Sequence, residues 1–171
     1  MSNAASDLLN LRSAFESEPD VSGDLLFYLN GSAIEVQNPD PEENLLSWLR
    51  RNGYNGTKLG CGEGGCGACT VLVSYFSASE QRVMHISANA CLFPLCACDS
   101  CHIITVEGIG QASRLHPIQE RMSEFHGSQC GFCTPGIVMS MCAVLFPHCI
   151  FVTYSPGMRC SETIRYPRNM K

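Results

Sequence analysis

No stretch of this 171-residue chain approaches 18 consecutive apolar residues, so it offers no transmembrane helix. Its first 23 residues hold no apolar run long enough for a secretory leader and carry Asp7, Glu16, Glu18 and Asp20. With Arg12 as the only base there, an organelle transit peptide is argued against as well. Basic charge is scarce throughout. A net charge of −5 and a pI near 5.5 argue against nucleic acid or an anionic membrane as the main partner. Common catalytic arrangements are missing too. The five histidines, His85, His102, His116, His126 and His148, show no paired metal spacing and read as structural. Glu42-Glu43 is an exposed pair ahead of a helix, and no Ser/His/Asp arrangement or phosphate loop stands out. The expected compartment is the reducing cytosol.

Cysteine and glycine are what the chain has instead. Its 12 cysteines, about 7% of the residues, are many for an intracellular protein yet below the level of a disulfide scaffold. In a reducing compartment, clustered thiols bind metal more often than they cross-link. Five glycines and three cysteines fall within Gly60-Cys61-Gly-Glu-Gly-Gly-Cys66-Gly-Ala-Cys69, spaced C-x4-C-x2-C, and Cys91 follows beyond a plausible hairpin. This is the ligand pattern of a plant-type [2Fe–2S] cluster. Thiolate is the soft ligand that iron prefers there. Glycine lets the backbone turn through positive φ and aim N–H groups at sulfur, which offsets the cluster's negative charge. Other readings of the same stretch fit less well. Gly62-x-Gly64-x-x-Gly67 matches a dinucleotide fingerprint formally, but a strand, not a helix, follows it. Zinc sites usually pair two C-x2-C knuckles, and the first half here has the wrong spacing. A disulfide framework needs an oxidising compartment.

Around that loop the chain reads as an α+β unit. Residues 1–23 are polar and aperiodic, the pattern of a mobile extension. Leu25–Leu29, Asn30-Gly31 and Ala33–Val36 predict a hairpin closed by a type I′ turn. Asn44 caps a short helix with Leu45, Leu46, Trp48 and Leu49 on its apolar face, ending before Asn52-Gly53. Strands are expected at 70–75 and 82–86, with one more across Ile103–Val106. After Gly110, Pro117 starts a helix to about Phe125, with Ile118, Met122 and Phe125 on one side. Cys130-Gly-Phe-Cys133 then leads into Pro135 and an apolar segment, Ile137–Leu145, which reads as a nearly all-buried helix. Approach to a helix N-terminus favours thiolate at Cys130 and Cys133. A lone C-x2-C is only two ligands: half a zinc site, half a cluster, or a redox dithiol.

Taken together, these stretches resemble the N-terminal iron–sulfur region of the xanthine dehydrogenase and aldehyde oxidase family of molybdenum hydroxylases, nearest xanthine dehydrogenase. The resemblance rests on Gly56-Thr-Lys-Leu-Gly-Cys61 through Val71, Ser87-Ala-Asn-Ala-Cys91-Leu92, Thr105-Val-Glu-Gly-Ile-Gly110, Leu115-His-Pro117 with Gln119-Glu-Arg121, and His126-Gly-Ser-Gln-Cys130-Gly-Phe-Cys133 through Met141. It implies a β-grasp, ferredoxin-like domain at 24–110, with Cys61, Cys66, Cys69 and Cys91 as metal ligands of one complete [2Fe–2S] site. It further implies a partial all-α [2Fe–2S]-binding domain at 111–145, in which Cys130 and Cys133 are half of a second site. Gln129 would lie near the pterin of the molybdenum cofactor. FAD and molybdopterin would sit in other domains or partner subunits, with electrons passing from molybdenum through the clusters to FAD.

The resemblance weakens beyond residue 145. The family completes its second site with a C-x-C pair, whereas 146–171 offers only Cys149 and Cys160, singly spaced, after Cys142. Cys96-Ala-Cys98 lies upstream, where the family has no ligands, so Cys96, Cys98 and Cys101 read as structural or free thiols. Residues 146–171 carry a net +3, leaving −8 for the rest, and three prolines break up any long helix. The expectation is a divergent, irregular tail and a chain that transfers electrons without hydroxylating anything alone. The other function class is a non-catalytic fragment or an interaction module holding zinc at Cys130, Cys133 and two tail cysteines.

Overall fold

The computed structural model describes residues 23–145. The expected extension up to residue 22 and the expected tail from residue 146 lie outside the described residues. Asn30 and Gly31, with φ of 51° and 88°, form the positive-φ turn that joins β1 (Leu25–Leu29) to β2 (Ser32–Val36) in antiparallel register. Strict alternation in β1 buries Leu25, Phe27 and Leu29 and leaves Leu26 and Tyr28 outside. Helix α1 (Leu45–Arg51) starts where the Asn44 side chain accepts the Ser47 N–H at 2.9 Å and stops at Asn52, ahead of Gly53 with φ of 90°. Its Trp48 meets Phe27 edge-to-face at 5.4 Å.

Next come β3 (Thr70–Ser77) and β4 (Arg82–Asn89), an antiparallel pair, then a 3-10 turn at Leu95–Cys98 and β5 (His102–Ile104). The sheet order is β2-β1-β5-β3-β4, with β5 parallel to β1 and antiparallel to β3. Phe27, Leu29, Val71, Val73 and Ile103 form one buried core with Leu45, Leu49 and Trp48 of α1. Cys69 and Cys91 belong to that same core, so the loop's final cysteine and the one after the hairpin are fixed by hydrophobic packing.

Three short helices follow: α2 (Val106–Ile109), α3 (Pro117–Glu124) and α4 (Thr134–Leu145). Pro117 opens α3, and His116 and Gln119 cap it reciprocally. Helix α4 packs against β3 and β4, burying Gly136, Val138, Met139 and Cys142. A mixed sheet gripping α1, followed by these helices, is the ferredoxin-like plus small helical architecture that the sequence predicts.

Some local expectations change. Ile103–Val106 is not all strand: β5 ends at Ile104, and Val106 begins α2 because Thr105 is taken into a polar network. In that network Asn30 accepts from Thr105 N and donates to Thr105 Oγ1, and Thr105 Oγ1 donates to Glu107. Glu107 in turn accepts from Gly56 N at 2.7 Å. It ties the first hairpin, β5 and the approach to the cysteine loop together. The segment after Pro135 is also not a nearly all-buried helix. It begins at Thr134 and packs against β3, β4, α2 and α3, while Ile137, Met141, Val144 and Leu145 remain exposed on the side these elements leave uncovered. The expected apolar side of α3 is likewise not buried, and Phe125 is 76% exposed.

The histidines with described contacts do structural work. His85 Nδ1 shares a 2.7 Å hydrogen bond with Ser74, His102 Nε2 accepts from Gly31 N, and His116 caps α3. Cys98 and Cys101 are buried thiols that donate to Pro94 O and Ala97 O, and burial pushes Cys98 up to about 12. Cys96 is exposed. Among the described residues, no helix is long and apolar enough to cross a membrane.

Candidate metal centre

Between α1 and β3 the backbone turns on itself at Gly62, Gly64 and Gly67, whose φ values are 74°, 77° and 69°. Only residues without a Cβ adopt such angles freely. The consequence is chemical. The N–H groups of Glu63, Gly65 and Cys66 all point at Cys61 Sγ, at 3.4, 3.2 and 3.4 Å, and Cys61 N donates to Cys66 Sγ at 3.4 Å. Donors aimed at a sulfur favour its charged form, and these N–H groups, led by that of Glu63, lower the Cys61 thiol from 9.0 to about 7.

A lowered value in the folded loop means that ionising Cys61 favours folding. That contribution is complete above pH 9 and is lost as the pH falls through about 7. In metal-free protein, iodoacetamide modification of Cys61 should reach half its maximal rate near pH 7, read by mass spectrometry across a pH series. A midpoint near 9 would show that the loop's donors do not act on it.

Two side chains anchor the loop from outside. Thr70 Oγ1 donates to Gly67 O at 2.7 Å, and Asn89 Nδ2 donates to Gly64 O at 2.9 Å. Leu92 lies against Gly64, where a Cβ would meet its Cδ1 at 2.4 Å. These anchors were not among the sequence candidates, although Asn89 stands two residues before Cys91. Cys61 and Cys66 are exposed at the rim, while Cys69 and Cys91 are buried beneath. Burial raises Cys69, and the adjoining Cys91 thiol adds to the rise. Of the four residues predicted for the first site, the structure pairs Cys61 with Cys66 and Cys69 with Cys91. Among the described residues, no three His, Cys, Asp or Glu side chains converge on one metal-ion position. Two thiol pairs fit a two-iron cluster, which takes four cysteine thiolates shared between its irons.

The second motif lies against the first. Cys130 and Cys133 are exposed, with Gly131 at φ of 82° between them and a 2.6 Å hydroxyl contact from Ser128 to Thr134 bracketing the turn. Cys133 O accepts from Ile137 N at the start of α4. Gln129 is exposed beside them. Gly136 stacks directly on the loop: a Cβ there would lie 2.2 Å from Gly67 O and 3.0 Å from Ala68 Cα. Gly60 makes a similar close approach, with a virtual Cβ 2.6 Å from Cys66 Sγ and 3.7 Å from the Phe132 ring. Neither contact was legible in the sequence.

Fold and donor set define an iron–sulfur protein of the [2Fe–2S] class, and comparison with known proteins agrees. Residues 27–96 match the family described as 2Fe-2S iron-sulfur cluster binding domain, and residues 105–149 match the [2Fe-2S] binding domain family. The chain is 56% identical over 129 residues to a xanthine dehydrogenase/oxidase of Gallus gallus, covering 74% of this chain and 10% of that protein. It is 50% identical over 134 residues to aldehyde oxidase 4 of Cavia porcellus, covering 76% and 10%. A solved quinoline 2-oxidoreductase from Pseudomonas putida 86 superimposes with a TM-score of 0.60 at 30% identity, covering 73% of this chain and 71% of that one. An aldehyde oxidoreductase from Desulfovibrio desulfuricans gives 0.62 at 31%, covering 73% and 13%. The chain belongs to the xanthine dehydrogenase and aldehyde oxidase family of molybdenum hydroxylases, of which it carries the iron–sulfur module. It spans about a tenth of the length of the curated relatives it matches.

Proposed function

We propose that Cys61, Cys66, Cys69 and Cys91 hold one [2Fe–2S] cluster, and that the chain serves as a one-electron conduit between a molybdenum centre and FAD. The observation that carries this reading is the pairing of Cys61 with Cys66 at the rim of a glycine loop whose N–H groups point at sulfur, and of Cys69 with Cys91 buried beneath it. Bound there, the cluster supplies one-electron acceptance and donation and no bond-making chemistry. The chain's own residues do the rest. Cys69 and Cys91 anchor one side in the core, the loop N–H groups offset negative charge, and Leu92 against Gly64 covers part of the loop.

In this reading Cys130 and Cys133 are two ligands of a second site, and the exposed Gln129 edge faces the pterin of the molybdenum cofactor. The partners are the family's FAD and molybdenum domains or subunits, rather than nucleic acid or a membrane. The compartment is the cytosol, whose reducing poise keeps such thiols available for metal. Whether the partner enzyme acts on xanthine or on an aldehyde belongs to the molybdenum domain.

The test is iron and acid-labile sulfide per chain on anaerobically purified protein, with an EPR spectrum after reduction. We expect about two irons and one rhombic signal, the stoichiometry of a single cluster. About four irons with two signals would show that further cysteines complete the second site. Zinc, or no metal, would overturn the electron-transfer reading.

A further inference from the structure

We propose that two copies of this chain pair along α4 and complete a second four-thiolate metal site between them, each copy supplying Cys130 and Cys133. This rests on the reading of those two cysteines as ligands of a second site. A [2Fe–2S] centre takes four thiolates, and the turn before α4 presents two, both exposed. A twofold axis beside that turn supplies the other two from the same residues of a second copy.

The surface next to these cysteines suits such a partner. Helix α4 carries no charged residue over its whole length, whereas a helix with one side in water ordinarily has charged residues there. Its uncovered side is an apolar stripe: Ile137, Met141 and Val144 recur at helical spacing with Leu145 beside them, and all four are exposed. Ser140, on the same side, turns its hydroxyl back to Gly136 O at 2.9 Å. The stripe runs up to the thiols. Cys133 stands one turn before Ile137, and its carbonyl accepts the Ile137 N–H at 3.1 Å, so Cys133 heads the stripe. Cys130 and Phe132, on either side of the Gly131 turn, are exposed as well.

Symmetry fixes how the copies meet. With the twofold axis running along the stripe, the two helices lie parallel and Cys133 comes to Cys133 at one end. An antiparallel pair would leave the cysteines at opposite ends of a 12-residue helix, about 18 Å apart at the rise of an α-helix, too far to share a metal. Four apolar side chains per copy make a small patch beside the roughly 1,000 Å² of a stable interface. Metal therefore closes the pair, and dimer and site form together, the four thiols releasing their protons as they ligate.

The test reconstitutes the full chain anaerobically with ferrous iron and sulfide over a range of protein concentrations. Size-exclusion chromatography with light scattering separates monomer from dimer, and metal and sulfide are counted in each. The monomer should hold about two irons per chain and the dimer about three, with a second EPR signal in the dimer alone. Cys130→Ser with Cys133→Ser should lose the dimer and the extra iron. Met141→Lys, at an exposed stripe position, should keep the monomer's iron and weaken dimerisation at least tenfold. The difference of about one iron per chain between wild type and the double serine variant is read whether or not the first site fills. Half a zinc per chain, confined to the dimer, would keep the shared site and change its metal. About four irons in a monomer would overturn sharing, while leaving Cys130 and Cys133 as ligands if the double variant returns to two. A monomer at every concentration whose metal content the double variant leaves unchanged would overturn both the sharing and the second-site reading.

Discussion

Cys66→Ser is expected to abolish the first cluster: the brown colour, the rhombic EPR signal and the associated iron and sulfide should all be lost. The reason is the donor arithmetic of a [2Fe–2S] centre, in which four thiolates complete the coordination and a hydroxyl is a poor substitute for soft iron. The position is chosen because Cys66 is exposed, so the metal-free fold should change by no more than about 0.5 kcal/mol, the range of ordinary surface substitutions. Cys96→Ser, at another exposed thiol, is the control and should leave metal content and spectrum as they were. Retention of a full, spectroscopically unaltered cluster in Cys66→Ser would remove Cys66 from the ligand set. Loss of the cluster in Cys96→Ser would point to a different grouping of thiols altogether.

The second large effect concerns the seam between the sheet and α4. Gly136→Ala places a methyl carbon 2.2 Å from Gly67 O and 3.0 Å from Gly67 C and Ala68 Cα. All three are backbone atoms of the cysteine loop, so no flexible side chain can swing away. Either α4 lifts from the sheet or the loop shifts, and overpacking of this kind costs about 1–3 kcal/mol. Urea denaturation of the metal-free protein should show the midpoint falling accordingly. Val144→Ala, on the same helix but 73% exposed, should change it little. Equal midpoints for Gly136→Ala and wild type would mean that the helix does not bear on the loop.

Both effects depend on how the cysteine loop is built, and its parts were unequally visible in advance. C-x4-C-x2-C with its interleaved glycines was readable because ligand type and backbone freedom are local properties. The Asn30-Gly31 turn and the Asn44 cap were readable for the same reason, since each is decided within a few residues. The burial of α4 was not. A run such as Ile137–Leu145 looks buried on every side from composition, yet β3, β4 and the short helices α2 and α3 leave half its apolar side chains facing outward. The end of β5 is set by a similar non-local effect. Thr105 has strand propensity, but its partners are Asn30 and Glu107, 75 residues away and two residues on.

By itself, then, the amino-acid order determined the choice of ligand chemistry, the positions at which the chain can turn, and the alternation that assigns β1 and α1 to a common core. These follow from residue type and short-range spacing. The tertiary structure decided which thiols stand together and what surrounds them. Cys69 and Cys91 become a pair because β3 and β4 fold back on each other. Gly136 acquires its purpose from the Gly67 carbonyl, which a contact across more than 60 residues brings to it. Close packing between distant segments has no local signature, because a glycine leaving room for a neighbour looks in sequence like a glycine leaving room for a turn.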